Sequence, residues 1–444
     1  MDRGRVETDQ VLVVGSGPAG LATAAELLRR GIPTTVLERG ERPAAAWAGR
    51  YDGLRFNTSR WWSALPGAPF PRSYGWFPTR DQYVDYLDAY AARHHVPVRT
   101  GVEVRRIDPT DDRDGWTLTT GEGAVNARHV VVATGIANRP VLPGWAHGSP
   151  FTGTVVHSAA YRNAGPYRDR RVLVVGAGSS GMEIAHELAV GGAAEVLLSV
   201  RTPPNLLLRS SGGLPTDLPV PVFFRLPVPL VDGMLRRLQR LTVGDLSGHG
   251  LPPSPEGSIA ALMARGAGTA IVDRGTVASI RDGSIRVVPA VSGLDTTGAR
   301  FTDGRRADVD DVVLATGFST ALEEMVGHLD VLGVLGLPRV ADGGEAAPGL
   351  RFVGYVYRPG LTGFVGRLAR GGPPVSWPGN GVAPLPPRPS EGAGRGAVAR
   401  AVEQAPAGRV LEVRTRGPTV HGARGRAGRP APRGCPRRAW RRSP

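Results

Sequence analysis

The stretch that decides the fold is VLVVGSGPAGLATAAELLRRGIPTTVLER, residues 11–39. It starts with four apolar residues, as a strand buried on both faces does, and a glycine-rich turn follows at 15–20. The next segment has the pattern of a helix that ends at Gly31, and TTVLER at 34–39 reads as a second strand. Strand, turn, helix and strand together predict one right-handed βαβ unit.

This pattern occurs again about 160 residues further along, in RVLVVGAGSSGMEIAHELAVGGAAEVLLSVR (171–201). Two shorter segments also resemble each other, VVVATG at 130–135 and VVLATGF at 312–318. The duplication predicts an α/β fold class with two Rossmann-like dinucleotide-binding domains, the second inserted in the first.

The expected domains follow from the positions of these repeats. We expect residues 1–160 and 305–370 to form the first domain and 161–304 the second, with a Pro-rich insertion at 203–260. The insertion either covers a ligand site or is a loosely packed connector. Between the two units, residues 79–99 predict an amphipathic helix capped by Thr79, with Tyr83, Leu87 and Tyr90 on one stripe and a strand after it. WTLTT at 116–120 reads as a strand in a meander.

The formal charge of +15 is concentrated at the C-terminal end, and every Lys/Arg position is Arg. Residues 371–444 contain 14 Arg and 3 Glu, or +11, which leaves 15 − 11 = +4 for the rest of the chain. This tail has no hydrophobic periodicity, so we expect it to be disordered. Salt-sensitive, non-specific polyanion binding through the tail is one alternative function.

The first glycine-rich loop predicts a nucleotide site. Gly15 permits the tight turn, Gly17 allows a pyrophosphate to approach the backbone, and Gly20 lets the helix pack against the strand. Glu38 follows Gly15 by 23 residues, where a carboxylate accepts hydrogen bonds from ribose hydroxyls. We assign this site to FAD, with two further contacts expected from Arg39 and Trp47.

The second loop contains the corresponding glycines Gly176, Gly178 and Gly181. Counting 23 residues from Gly176 gives Ser199, and Arg201 lies two residues further on. A carboxylate here would repel a 2′-phosphate, whereas Ser and Arg would bind one, so the sequence favours NADPH over NADH. The alternative is that Arg201 is an ordinary solvated residue at a strand end.

Two such domains imply hydride transfer from a nicotinamide to a flavin. Reduction of a disulfide would need a Cys-x-x-Cys pair beside the flavin, but the chain has a single cysteine, Cys435. Dioxygen is therefore the leading electron acceptor. The lone cysteine, the absence of a signal-peptide pattern and the lack of an apolar run of about 20 residues predict a cytoplasmic protein without a transmembrane segment.

The chain resembles the class B flavin-dependent monooxygenases, and it fits their flavin-containing and YUCCA-like branch better than their Baeyer–Villiger branch. FTGTVVHSAAY, with Phe151, Gly153, His157 and Tyr161, resembles the family motif F-x-G-x-x-x-H-x-x-x-W/Y. Tyr161 fits this branch better than the Baeyer–Villiger enzymes, which have Trp there. VVLATGF is similar to the second linker motif, and we expect Thr316 and Gly317 within it to bind a cofactor. Residues 54–87 and 351–363 are similar to further family segments. The resemblance covers about residues 8–370; the basic amphipathic helix that normally follows is interrupted by GGPP.

The resemblance implies a mechanism and roles. NADPH reduces FAD, and dioxygen gives a C4a-hydroperoxide that transfers one oxygen atom to a soft nucleophile or to a carbonyl compound. The resemblance makes Asn57 the candidate catalytic residue, with an Asx turn as the alternative. It makes the 151–161 motif a linker that couples the domains, with His157 architectural rather than a general base.

Other expectations concern the pocket and the partners. Four tryptophans are candidates either for lining the pocket or for simple packing: Trp47, Trp61, Trp62 and Trp76. We expect dioxygen and a small organic substrate as partners, no metal, no specific nucleic acid, and a homodimer as the assembly to test. A flavoprotein that only releases hydrogen peroxide, or an inactive relative, is the second alternative function.

Overall fold

The computed structural model describes residues 11–355 with the exception of 224, 267, 334 and 335. The predicted tail at 371–444, Cys435, and the part of the 351–363 segment beyond residue 355 lie outside the described residues. Among the described residues, no helix combines the length and the apolar character that a bilayer crossing requires.

The first sheet contains the first βαβ unit and has six strands. Five are parallel, and the sixth, at one edge, is antiparallel. In spatial order the strands are Asp342–Ala347, Leu350–Val353, His129–Val132, Val11–Val14, Thr34–Leu37 and Val98–Arg99. The helix Pro18–Arg29 follows the central strand and buries its small residues against the sheet, as an amphipathic crossover helix does.

The second sheet is entirely parallel and contains the second βαβ unit. Its strands, in spatial order, are Arg286–Val288, Glu195–Ser199, Arg171–Val175, Asp311–Leu314 and Thr154–His157. The helix Ser179–Val190 covers it, with Met182, Ile184 and Leu188 fully buried. The chain leaves the first sheet before this domain and returns to it afterwards, which confirms the predicted two-domain α/β fold.

The predicted domain boundaries need correction. Thr154–His157 and Asp311–Leu314 were both expected in the first domain, yet both pair in the second sheet. The breaks at 160/161 and 304/305 are therefore wrong, and the second domain reaches from before Thr154 to beyond Leu314. Sheet membership depends on long-range pairing, which local periodicity does not reveal.

Each of these two sheets is accompanied by a three-stranded antiparallel meander. One consists of Val104–Pro109, Trp116–Thr120 and Gly123–Ala127, and the other of Val291–Leu294, Gly298–Phe301 and Arg306–Asp308. The predicted strand at 116–120 is thereby confirmed. Three two-stranded pairs complete the strands: Leu206–Leu208 with Ala270–Val272, Ser210–Ser211 with Leu214–Pro215, and Arg139–Pro140 with Phe318–Ser319.

The helix predicted within 79–99 runs from Arg80 to Arg93. Thr79 caps it in a reciprocal capping box with Gln82, and the three expected stripe residues are buried. The strand Val98–Arg99 follows, as predicted. The remaining helices are Ala45–Ala48, Arg60–Ser63, Val220–Phe223, Val228–Thr242, Ser258–Arg265, Arg274–Arg281 and Leu322–Val326, with single turns of 3₁₀ helix at Arg72–Tyr74, Gly144–Ala146, Gly165–Tyr167, Ser247–His249 and Gly327–Leu329.

The 203–260 insertion is more regular than its Pro-rich composition suggests. It contains the helix Val228–Thr242, which packs against Ser258–Arg265. The buried carboxylate of Asp232 accepts hydrogen bonds from the backbone N–H groups of Ile259 (2.7 Å) and Ala260 (3.2 Å). This caps the second helix from the first, which argues against a loosely packed connector.

Candidate functional site

The first glycine-rich loop has the shape of a phosphate cradle. Gly15 has a φ of +102°, and a Cβ there would lie 2.8 Å from the carbonyl oxygen of Ala133. A Cβ on Gly20 would lie 1.8 Å from the oxygen of Gly15. At Gly17, by contrast, a Cβ would meet nothing within 4 Å. The loop is closed on the sheet side and open at Gly17, where the helix Pro18–Arg29 begins and its N–H groups are available to an anion.

The second loop repeats this geometry. Gly176 has a φ of +112°, and its Cβ would lie 2.5 Å from the oxygen of Ala315. A Cβ on Gly181 would lie 1.8 Å from the oxygen of Gly176, and Gly178 is again open within 4 Å. The residues present at both loops therefore fit a dinucleotide pyrophosphate.

The two Ala-Thr-Gly segments, at 133–135 and 315–317, help to close the glycine-rich loops on the sheet side. The alanine after the neighbouring strand presses its carbonyl against the first glycine of each loop, Ala133 at Gly15 and Ala315 at Gly176. Thr316 and Gly317 consequently lie at the carboxyl edge of the second sheet, on the side of the second loop. The Thr316 hydroxyl donates to the carbonyl oxygen of Val141 at 2.6 Å.

Glu38 lies buried at the end of the second strand of the first unit. Its carboxylate accepts hydrogen bonds from the backbone N–H of Ser16 (2.9 Å), the Ser16 hydroxyl (2.5 Å) and the backbone N–H of Gly40 (2.8 Å). A carboxylate has about four lone-pair positions, so capacity remains for a ribose hydroxyl. Exposed Arg39, next in the chain, donates to Oδ1 of Asn138 at 2.7 Å.

The aromatic side chains mainly pack against each other. Trp47 is half-buried, with its ring centroid 5.4 Å from that of Phe56 and 4.7 Å from that of Tyr83. Trp61 is 54% exposed and meets Trp76 edge-on at 4.9 Å. These contacts agree with the packing interpretation of the tryptophans. The buried indole N–H of Trp62 has no hydrogen-bond partner within the described part of the chain.

Strand register corrects the comparison between the two loops. Val14 pairs with Leu37 in the first sheet, and Val175 pairs with Ser199 in the second. Ser199 is therefore equivalent to Leu37, and the position equivalent to Glu38 is Val200. The Ser199 side chain is buried and its hydroxyl donates to the carbonyl oxygen of Pro289 at 2.8 Å.

Arg201, by the same register, is equivalent to Arg39 and is exposed just beyond the strand. It forms no hydrogen bond or ion pair within the described residues. The second loop thus has no carboxylate at the position of Glu38 and a free guanidinium one residue later.

His157 of the linker motif contacts Gly317, which follows the neighbouring strand Asp311–Leu314 of the same second sheet. Its Nδ1 accepts from the backbone N–H of Ala159 at 3.1 Å, which leaves Nε2 to carry the proton toward the carbonyl oxygen of Gly317 at 3.0 Å. Burial lowers the pKa of His157 and so favours this neutral tautomer. Both ring nitrogens are occupied, as the architectural interpretation requires.

The other motif residues have packing roles. A Cβ on Gly153 would lie 2.2 Å from the oxygen of Asp310 and 2.6 Å from the Phe151 ring, so only glycine fits beneath that ring. Tyr161 is 1% exposed and stacks on Tyr167 at 5.6 Å.

Asn57 lies beside a buried charge network that the sequence analysis missed. Its Oδ1 is 3.4 Å from Nη2 of Arg209, which is 4% exposed and forms ion pairs with Glu183 and Asp273. The hydroxyl of Tyr51 donates to the other oxygen of Glu183. Burial raises the pKa of Glu183 to about 7, although Arg209 opposes the shift. A lone arginine directly after the apolar run LLL at 206–208 was the available signal.

Two glycine-rich loops, each at the carboxyl edge of parallel strands, indicate a two-dinucleotide oxidoreductase class of fold. Residues 12–206 match the family described as pyridine nucleotide-disulphide oxidoreductase. The chain is 33% identical to the probable indole-3-pyruvate monooxygenase YUCCA4 of Arabidopsis thaliana, over 79% of this chain and 86% of that protein. It is 37% identical to the indole-3-pyruvate monooxygenase YUCCA1 of Oryza sativa subsp. japonica, over 69% and 76%.

Solved structures agree on the fold. A mutant flavin monooxygenase from Stenotrophomonas maltophilia superposes with a TM-score of 0.62 at 23% identity, covering 82% of this chain and 97% of that one. An oxidized steroid monooxygenase bound to NADP gives a TM-score of 0.64 at 19% identity, covering 81% and 82%. The chain belongs to the class B flavin-dependent monooxygenases. The predicted enzyme class, an FAD- and NADPH-dependent monooxygenase, is thereby confirmed.

Proposed function

We propose that this enzyme holds FAD at the first glycine-rich loop and NADPH at the second, and adds one atom of dioxygen to a small carbonyl compound. The observation that supports this division is the asymmetry of the loops: a buried carboxylate at Glu38 in one, and Val200 followed by exposed Arg201 in the other. A carboxylate suits a ribose without a 2′-phosphate, whereas a free guanidinium suits the 2′-phosphate of NADPH.

The names of the relatives narrow the range of candidate substrates. Both plant relatives are named for indole-3-pyruvate, which is an aromatic 2-oxo acid. Carbonyl oxidation was already one of the two reaction types that the sequence allowed. We therefore propose an aromatic 2-oxo acid, rather than an amine or a sulfide, as the substrate.

The bound flavin supplies the redox chemistry, accepting a hydride from NADPH and activating dioxygen. The residues of the chain bind the two nucleotides and orient the reacting groups. Backbone N–H groups at Gly17 and Gly178 meet the two pyrophosphates. Neutral His157 holds the linker to the carbonyl of Gly317 and moves no proton, and the Asn57 amide is the proposed donor at the reacting centre.

A coupling assay tests this function. NADPH consumption, hydrogen peroxide and oxygenated product are measured together, with indole-3-pyruvate as the first substrate. We expect most of the NADPH consumed by the wild type to appear as product, and Asn57→Ala to raise the ratio of peroxide to product. Asn126→Ala, an exposed asparagine on the first meander, is the matched control and leaves the ratio unchanged.

The main alternative is a flavoprotein that only reduces dioxygen to hydrogen peroxide. In that case the wild type converts NADPH to peroxide stoichiometrically with every substrate offered, and Asn57→Ala changes nothing. Such a result would overturn the monooxygenase proposal.

A further inference from the structure

Arg209 connects three segments that are far apart in sequence. It follows the strand Leu206–Leu208 in the insertion, yet it contacts Glu183 on the helix of the second loop and Asp273 at the start of another helix. It also reaches Asn57, 152 residues away, and its guanidinium lies 5.9 Å from the ring of Phe77.

The contact with Asn57 fixes the orientation of that amide. Arginine carries only donors, so the atom that faces it must be the amide oxygen. The NH₂ group of Asn57 then points away from Arg209 and is available as a donor to another partner. A free asparagine side chain would have both orientations open to it, so Arg209 selects the donating one.

Arg209 itself is held firmly. Its side chain is 4% exposed, and two carboxylates bind the guanidinium from different elements. The Tyr51 hydroxyl occupies the second oxygen of Glu183, so that carboxylate cannot rotate without losing a hydrogen bond. A planar, forked cation can serve all of these partners at once, whereas the ammonium of a lysine is a single point of charge.

We infer that Arg209, anchored by Glu183 and Asp273, is a positioning residue that turns the Asn57 amide toward the reacting centre and so couples the NADPH-binding helix to the oxygen-transfer step. The inference rests on the proposed function, because it takes Asn57 as the donor there.

The test is a double-variant cycle with Arg209→Lys and Asn57→Ala. Lysine keeps the positive charge between the two carboxylates, so the fold is preserved while the fork is lost. We expect Arg209→Lys to reduce flavin with NADPH at the wild-type rate but to raise the peroxide-to-product ratio to within about twofold of Asn57→Ala, and the double variant to be no worse than Asn57→Ala. Arg170→Lys, the same change in an ion pair to buried Asp311 of the second sheet, is the control and stays coupled like the wild type.

A second readout needs no flavin. Melting temperatures of the flavin-free protein are measured for the same four members of the cycle. Contact between the two side chains predicts a double variant that melts no lower than Arg209→Lys alone, whereas independent residues give shifts that add.

The outcomes separate the two proposals. If Asn57→Ala uncouples and Arg209→Lys does not, the positioning role is wrong and the proposed function stands. If Arg209→Lys only lowers the melting temperature and its effect adds to that of Asn57→Ala, Arg209 is merely structural and the inference fails. If the wild type forms no product, the proposed function fails, and additive melting shifts would overturn the inference separately.

Discussion

Replacement of Arg201 by alanine tests the structural basis of nicotinamide choice. Arg201 is exposed beyond the end of the strand Glu195–Ser199, and its replacement breaks no hydrogen bond or ion pair among the described residues. We therefore expect an effect on nicotinamide choice to come from the bound nucleotide. Selectivity is measured as the ratio of kcat/KM for NADPH to that for NADH.

The expected loss of kcat/KM for NADPH follows from the loss of one charge-assisted contact between Arg201 and the 2′-phosphate. A hydrogen bond to a charged group contributes about 1.5–3 kcal/mol, and each 1.4 kcal/mol is about a factor of ten. We expect kcat/KM for NADPH to fall about 10- to 100-fold in Arg201→Ala, chiefly through KM, while the value for NADH hardly changes. A selectivity ratio within about twofold of the wild type would refute the assignment, since that difference is below 0.5 kcal/mol.

Ser199→Ala is the matched control for the corrected register. Its hydroxyl donates to the carbonyl of Pro289 inside the protein, so its loss is expected to lower stability by about 1 kcal/mol and to leave selectivity unchanged. Reduced NADPH selectivity in Ser199→Ala together with normal selectivity in Arg201→Ala would show that simple counting, and not strand pairing, identified the right residue.

Two further predictions concern the linker motif. Gly153→Ala is expected to cost about 1–3 kcal/mol in thermal unfolding because its Cβ meets the oxygen of Asp310 and the ring of Phe151, whereas Gly144→Ala, where a Cβ meets nothing within 4 Å, melts like the wild type. The pKa of His157 is lowered by burial, so below the ordinary histidine pKa of about 6.5 the unfolded chain takes up a proton that the folded chain resists. The stability that this group contributes at neutral pH is thus lost progressively as pH falls below 6.5 toward the lower pKa of the folded state. His157→Gln should therefore show a shallower decline of melting temperature between pH 7.5 and 5.5, and an unchanged slope would contradict the buried, neutral state of His157.

Local patterns allowed much of the fold to be predicted. Glycine spacing, apolar runs and a capping pair report on neighbouring residues, and they correctly identified both βαβ units and the helix capped by Thr79. The insertion was harder, because its helix Val228–Thr242 is stabilised by tertiary contacts such as the Asp232 cap and not by composition.

The sequence comparison of the two loops went wrong because strand pairing, a long-range property, determines which residues are equivalent. The partners Val14 and Leu37 are 37 − 14 = 23 residues apart, and Val175 and Ser199 are 199 − 175 = 24 apart. The second connection is one residue longer, so an equal count of residues ended one position short, at Ser199.

The candidate site was only partly predictable for the same reason. Asn57 followed from resemblance, but its neighbour Arg209 lies 152 residues away, and no spacing rule relates the two. The linker motif was recognised as a motif, whereas its hydrogen bond from His157 to Gly317 became visible only once the second sheet was assembled.

The most direct test of the division of labour between the loops is a matched pair of variants, Gly17→Val and Gly178→Val. Both glycines have extended backbone conformations and open space at the Cβ position, so valine is compatible with the fold and obstructs only a bound pyrophosphate. Flavin content is measured by absorbance after purification, and anaerobic bleaching of the flavin by NADPH is followed in each variant. We predict that Gly17→Val is purified without FAD, whereas Gly178→Val retains FAD but is no longer reduced by NADPH. Loss of FAD from Gly178→Val, or normal NADPH reduction in it, would contradict the assignment of the two loops.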